Sequence, residues 1–168
     1  MYVKKAEQRF GPRTRKFRTL KVQGRDNQTP ETVPDGDGGC LVHYYSKAKH
    51  DSERLRFQMS HEAIHVLLGS LQRECRYIEE GLAVWFSLSV AEDAYGKRAE
   101  AGLPVLFADA LKLLRQAKPT DQKIQALRKL SPDLDDLEVQ HLIDALSIDE
   151  ELAVKLHSRV PPDMKFRI

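Results

Sequence analysis

His61-Glu62-Ala63-Ile64-His65 constrains this chain more than any other five residues in it. An α-helix turns once in about 3.6 residues, so residues four apart lie one above the other. If the segment is helical, both imidazoles reach one metal ion. Glu62 then sits about 100° round the helix from His61 and borders the ion without binding it. That is where a general base for water at a metal would stand. The flanking residues predict the helix. Asp51 or Ser52 caps it, Glu53 enters its first turn, and Gly69 stops it after about Leu68. Leu55, Met59, Ala63 and Val66 form an apolar stripe that Ile64, Leu67 and Leu68 widen. This helix is therefore expected at the centre of the fold.

Two histidines and a water leave a tetrahedral zinc site one protein ligand short. The run Tyr77-Ile78-Glu79-Glu80-Gly81-Leu82-Ala83-Val84-Trp85-Phe86 brings carboxylates into the head of a second apolar helix, expected over about Ile78 to Ala91. A buried acidic pair needs a partner, because unpaired buried charge is costly. A metal supplies one, as does the positive end of the helix dipole. Gly81 and Ala83 are small enough to let this helix approach the first closely. Leu82, Trp85, Phe86 and Leu88 read as core. Cys75, ten residues after His65, reads as an ordinary semi-buried thiol in preference to a third ligand.

On these residues the chain resembles the gluzincin metallopeptidases, in which H-E-x-x-H on one helix is completed by a Glu on the next. Glu79-Glu80-Gly81-Leu82-Ala83 is similar to the Asn-Glu-Gly-Phe-Ala type segment of the aminopeptidase branch, with Glu in place of Asn. The gap from the second His is somewhat shorter than is usual in that branch. The resemblance spans residues 52 to about 90. It implies Zn²⁺ held by His61, His65 and Glu80, with Glu79 the alternative third ligand. It implies Glu62 as the general base of peptide-bond hydrolysis, with a peptide or protein as substrate. Metzincins would need Gly and His where Leu68 and Leu71 stand, and a deformylase-like Cys would need a Glu-Gly before it, which Cys40 lacks.

Length and composition fit a single domain over 1–168, with 1–50 as sheet and loop, 52–91 as the metal-site helices and 103–160 as a helical tail. No apolar run approaches the roughly 20 residues of a membrane span. The first residues lack the apolar core of a signal peptide, and two cysteines make no disulfide framework, so a cytoplasmic location is expected. Charge is uneven: residues 1–25 carry a net +8 and the remainder a net −6. A basic arm for nucleic acid is one reading. We favour a segment that pairs with the acidic body, because no nucleic-acid fingerprint accompanies it. A metal-stabilised module without catalysis is a further alternative.

The expected fold class is α+β. A small N-terminal antiparallel or mixed sheet packs on the metal-binding helix pair, and a helical C-terminal tail follows. Residues 1–9 suggest a short helix or a frayed end, Phe17–Val22 a strand, Gly24–Gly39 a loop and Cys40–Tyr45 a second strand. The second strand is expected at a sheet edge, where Val42, His43, Tyr44 and Tyr45 would bind an extended substrate. In the tail, helices are expected from Leu103-Pro104 to Ala117, from Thr120 to about Leu130, from Ser131-Pro132, and from a capping box at Ser147–Glu150 to near Val160. Tyr95, His141 and His157 are candidate donors to the oxyanion of the attacked carbonyl, and Tyr77 is a near neighbour of the third ligand.

Overall fold

The computed structural model describes residues 1–26, 30–69, 75–91, 93–132 and 134–161, and for residues 93–95 and 135 the backbone alone. Helix α1 (Tyr2–Phe10) leads into strands β1 (Leu20–Arg25), β2 (Glu31–Pro34) and β3 (Cys40–Tyr45). Helices α2 (Ser52–Leu68) and α3 (Tyr77–Val90) follow. The remainder is helical: α4 (Asp93–Ala101), α5 (Val105–Gln116), α6 (Asp121–Leu130), α7 (Val139–Leu146) and α8 (Glu150–His157). The chain is thus α+β, with a mixed sheet at one end and helices at the other.

Local chemistry accounts for the limits of α2. The Asp51 carboxylate accepts from the N–H groups of Glu53 and Arg54 at 3.1 and 3.0 Å, which satisfies two of the donors a helix start leaves open. At the other end Gly69 turns left-handed at φ 73° and its N–H closes on the His65 carbonyl, as a glycine C-terminal stop requires. Between these ends α2 is shared by two cores. Ile64, Leu67 and Leu68 join Phe10, Ile78, Leu82, Phe86, Leu114 and the apolar faces of α6 to α8. Val66 instead joins Cys40 and Val42 of the sheet, with Met59, Val3 and Phe17 against them.

The sheet differs from expectation in three ways. The first strand begins at Leu20, not Phe17, and runs through Gly24 to Arg25. The stretch expected as loop contains β2, a β-branched pair, Thr32-Val33, next to Pro34. The strand order is β1-β3-β2, with β1 parallel and β2 antiparallel to β3. Cys40–Tyr45 is therefore the central strand, and both its edges are occupied. Val42 and His43 are paired on both sides, and Tyr44 and Tyr45 pair with β1 alone, so the strand as a whole is not the free edge on which its assignment to substrate rested. The edges belong to β1 and β2. Proline suits this position, because an edge strand can spare an N–H.

The tail differs as well. Helix α4 was not expected. Ser131-Pro132 opens no helix of its own; a single 3₁₀ turn at Leu134–Asp136 precedes α7, which starts after Glu138. Ser147 does not cap α8. It ends α7 in the left-handed region at φ 57°, and Asp149 caps α8 by accepting from Leu152 N–H at 2.8 Å.

The basic N-terminal segment folds onto the body. Arg9 meets Asp121 at 2.8 Å, Arg13 meets Glu7 at 2.8 Å, Lys21 meets Asp35 at 2.9 Å and Arg25 meets Glu31 at 3.2 Å. The buried guanidinium of Arg128 donates to the carbonyls of Phe10, Gly11 and Pro12 and so fixes the exit from α1. Among the described residues no helix is long and apolar enough to cross a membrane.

Gly81 is small for a reason other than the one expected. A Cβ there would lie 2.6 Å from the carbonyl oxygen of Ala110 and 3.0 Å from the Leu114 Cβ, so Gly81 permits close approach of α3 to α5, not to α2. Alanine normally stabilises a helix interior by up to about 1 kcal/mol relative to glycine. Here the clash is with backbone, which cannot swing aside. Gly81→Ala is expected to destabilise the protein by about 1–3 kcal/mol, as read from chemical denaturation. A variant as stable as the parent would show that α3 and α5 are less tightly apposed than this.

Candidate metal centre

Helices α2 and α3 cross so that three buried donors meet. His61 and His65 present their Nε2 atoms 3.2 Å apart. Glu80 Oε2 lies 3.3 Å from the first and 3.9 Å from the second. All three residues are buried. Ligand bonds of about 2.0–2.1 Å in tetrahedral array put donors about 3.3 Å apart. Two edges of the triangle, at 3.2 and 3.3 Å, match that spacing and the third, from His65 to Glu80, is longer at 3.9 Å; two neutral imidazoles with one carboxylate are donors that zinc accepts. The residues therefore fit the ion that the sequence pattern implies.

The register of α3 separates the two glutamates. Glu80 lies on the Nε2 side of the histidines. Glu79 lies behind His65: its carboxylate, the Cys75 sulfur and a ring nitrogen of His65 all fall within 4.8 Å of one another. Cys75 Sγ is 4.0 Å from His65 Nδ1, the nitrogen directed away from His61. Cys75 and Glu79 thus approach the far side of the ring. Groups so placed hold a ligand histidine in one tautomer and orientation. Glu79 also receives the Arg76 N–H at 3.4 Å, as part of the cap of α3.

The tail fixes where α3 starts. Tyr77 N–H donates to the Ser158 carbonyl at 3.1 Å, and Val160 N–H donates to the Cys75 carbonyl at 2.9 Å. Arg76 adds bonds to the carbonyls of Leu134 and His157 at 3.2 and 2.8 Å. The position of Glu80 is thereby tied to residues some eighty positions later in the chain.

Glu62 borders the triangle. Its carboxylate falls within 4.8 Å of ligand atoms of His61 and His65, is almost wholly buried, and accepts the Thr32 hydroxyl of β2 at 2.6 Å. Burial pushes its pKa up to about 7, against the smaller opposing effects of His61 and the Thr32 hydrogen bond. For His61, burial alone would lower the pKa, but the hydrogen bond and charge of Glu80, with the charge of Glu62, outweigh it and raise the value. A carboxylate poised near neutrality beside a donor cluster is the electrostatic mark of a proton-handling site.

Comparison with known proteins finds no matching family, no matching curated protein and no matching solved structure. The site is read from its own geometry.

Of the oxyanion-donor candidates, His141 and His157 have their ring nitrogens engaged elsewhere. His141 Nδ1 accepts the Glu138 N–H at 3.2 Å in the cap of α7. His157 Nε2 lies 2.7 Å from the Leu137 carbonyl and 3.0 Å from Arg76. Both rings serve the helical tail. Tyr95 falls in α4, and its side chain lies outside the described residues. Tyr77 heads α3, half-buried. Two neighbours of the site escaped the sequence reading. One is Thr32. The other is Phe107 of α5, whose ring centroid is 5.0 Å from that of His61 at a tilt of 43°. Thr32 had a readable signal in the β-branched pair beside Pro34. Phe107 had none, since its spacing is that of any amphipathic helix. Cys40, a sheet residue, has its thiol pushed up to about 11 by burial, with the charges of Glu62 and Asp35 adding to it, so it stays protonated at neutral pH.

Proposed function

We propose that this protein is a zinc-dependent peptidase of gluzincin type, with His61, His65 and Glu80 as ligands and Glu62 as general base. The observation that carries the reading is the donor triangle with a further carboxylate, Glu62, buried at its side. A structural zinc site has four protein ligands and no use for such a carboxylate. A non-catalytic module would gain stability by losing it. When bound, zinc supplies a Lewis acid that polarises a peptide carbonyl and lowers the pKa of water. Glu62 takes a proton from the attacking water and delivers it to the departing amine nitrogen. Glu79 and Cys75 keep the His65 ring directed at the ion. Phe107 forms an apolar wall beside His61.

The substrate is a peptide in extended form, and β2 replaces β3 as the strand that receives it. Asp35 N–H donates to the Gly39 carbonyl at 3.2 Å, and the register pairs Val33 with Leu41 and Glu31 with His43. Antiparallel pairs alternate between bonded and non-bonded. Thr32 therefore directs its N–H and C=O to the outer edge, where a peptide can add as another strand. Three of the nine cations in residues 1–25 pair with acidic residues beyond the segment and a fourth with Glu7, which supports the body-pairing reading over nucleic acid. Two cysteine thiols suit a cytoplasmic protein.

The test is purification of the whole chain, measurement of metal content, and exposure to a library of fluorogenic peptides with and without chelation. The expected result is one zinc per chain, cleavage of a subset of peptides, loss of cleavage on chelation and its return with zinc. A protein that holds zinc, keeps its fold, and cleaves nothing across the library would leave only the binding module.

A further inference from the structure

We propose that Thr32 is the positioning residue for the general base, a role that rests on the peptidase reading. Thr32 and Glu62 are 5% and 3% exposed, and the Thr32 hydroxyl lies 2.6 Å from Glu62 Oε2. The Thr32 hydroxyl donates to Glu62 Oε2, and the ionised form that acts as base offers acceptors only. With Oε2 held, Oε1 is the oxygen left to take a proton from water. The terminal torsion of a glutamate is otherwise broad, and a base free to turn would spend part of its time misdirected. The donor is itself fixed. Threonine is stiff at χ1, and its strand is registered against β3 with Thr32 opposite Val42.

The bond is hard to explain as a stabilising device alone. It retains a carboxylate in a site almost wholly closed to water, and an apolar pair of similar size would pack there without the cost of desolvating a charge. The same residue turns its backbone N–H and C=O away from β3, to the side of β2 that no other strand pairs with among the described residues. A peptide that adds to this edge therefore bonds the N–H and C=O of the residue whose hydroxyl holds the base. Substrate alignment and base alignment then share one rigid element.

The test uses Thr32→Val, which removes the hydroxyl at nearly constant volume, and Thr32→Ser, which keeps it. Two readings are taken on the full chain. The first is the carboxyl-carbon NMR signal of Glu62 in metal-free protein. The second is kcat and KM for a cleaved peptide in zinc-loaded protein. Thr32→Val is expected to move the carboxyl signal and lower kcat about tenfold with KM little changed, with Thr32→Ser close to the parent in both. A carboxyl signal indifferent to Thr32→Val overturns the proposal, as does a moved signal with kcat unchanged. Equal impairment in Thr32→Ser and Thr32→Val also overturns it, since packing by the methyl group would then be the cause. Failure of the peptidase reading looks different: the parent itself would bind zinc and cleave nothing, and the catalytic role of Thr32 would fall with it while the carboxyl signal still reported the bond.

Discussion

Glu80→Gln is expected to empty the metal centre, whereas Glu79→Gln keeps one zinc per chain at weakened affinity. The two residues are neighbours of the same type and both are buried. Their directions differ. Glu80 closes the triangle with the Nε2 atoms of His61 and His65 at 3.3 and 3.9 Å. Glu79 stands with Cys75 behind His65. Removing the charge at position 80 takes away a ligand and leaves two imidazoles, which is too few for a stable zinc site. Removing it at position 79 alters the support of a ligand, a change worth about 10- to 100-fold in affinity. Dialysis against chelators of graded strength, followed by metal analysis, separates the two. His65→Ala should behave like Glu80→Gln. If Glu79→Gln proves the variant without zinc, the ligand is Glu79 and α3 is rotated by one residue from the position described.

The sequence made the metal helix legible because its signals are local. Asp51 at one end, Gly69 at the other and two histidines four apart need no knowledge of the rest of the chain. Which glutamate faces the histidines is a different kind of question. It depends on how α3 is rotated as it crosses α2, and that rotation is set by Gly81 against Ala110 and by backbone bonds from residues 158 and 160. Nothing near positions 79 and 80 records those contacts. The sheet is hard to read from sequence for a similar reason. Thr32-Val33 is too short to announce a strand, and its identity comes from pairing with β3. Once β2 occupies one side of Cys40–Tyr45 and β1 the other, the strand expected at the edge becomes central. Short polar caps were ambiguous too. Ser147 and Asp149 are both good N-cap residues, and the choice between them was made by the left-handed turn that ends α7. His141 and His157 were plausible donors in one dimension; each turns out to serve the tail, in a cap or in bonds to Arg76 and Leu137.

Glu62→Gln is expected to abolish hydrolysis, keep zinc, and make the metal-free protein more stable. The loss of activity follows from removing the group that carries the proton, and general-base assistance is worth roughly 100- to 10,000-fold. Zinc is kept because the proposed ligands are His61, His65 and Glu80. The gain in stability follows from burial. The Glu62 pKa rises from the ordinary 4.5 to about 7 in the folded protein. Between those values the native state holds a proton that the unfolded chain has released, so stability falls as pH rises through that window. Above about pH 7 the full cost of the buried charge is present, on the order of 3 kcal/mol. The substituted amide carries no charge and escapes this cost, while its oxygen can still accept the Thr32 hydroxyl. His61 adds in the same direction. Its pKa is raised on folding, so its contribution is full below the ordinary value of 6.5 and is lost as pH rises through the folded one. Glu62→Gln should therefore flatten the pH dependence without removing all of it. Urea denaturation in the presence of a chelator, at pH 5 and pH 8, reads this directly. The variant should gain most over the parent at pH 8 and little at pH 5. Equal stability at both values would mean that Glu62 is not held as a buried charge, and the case for a base retained at the expense of stability would go with it.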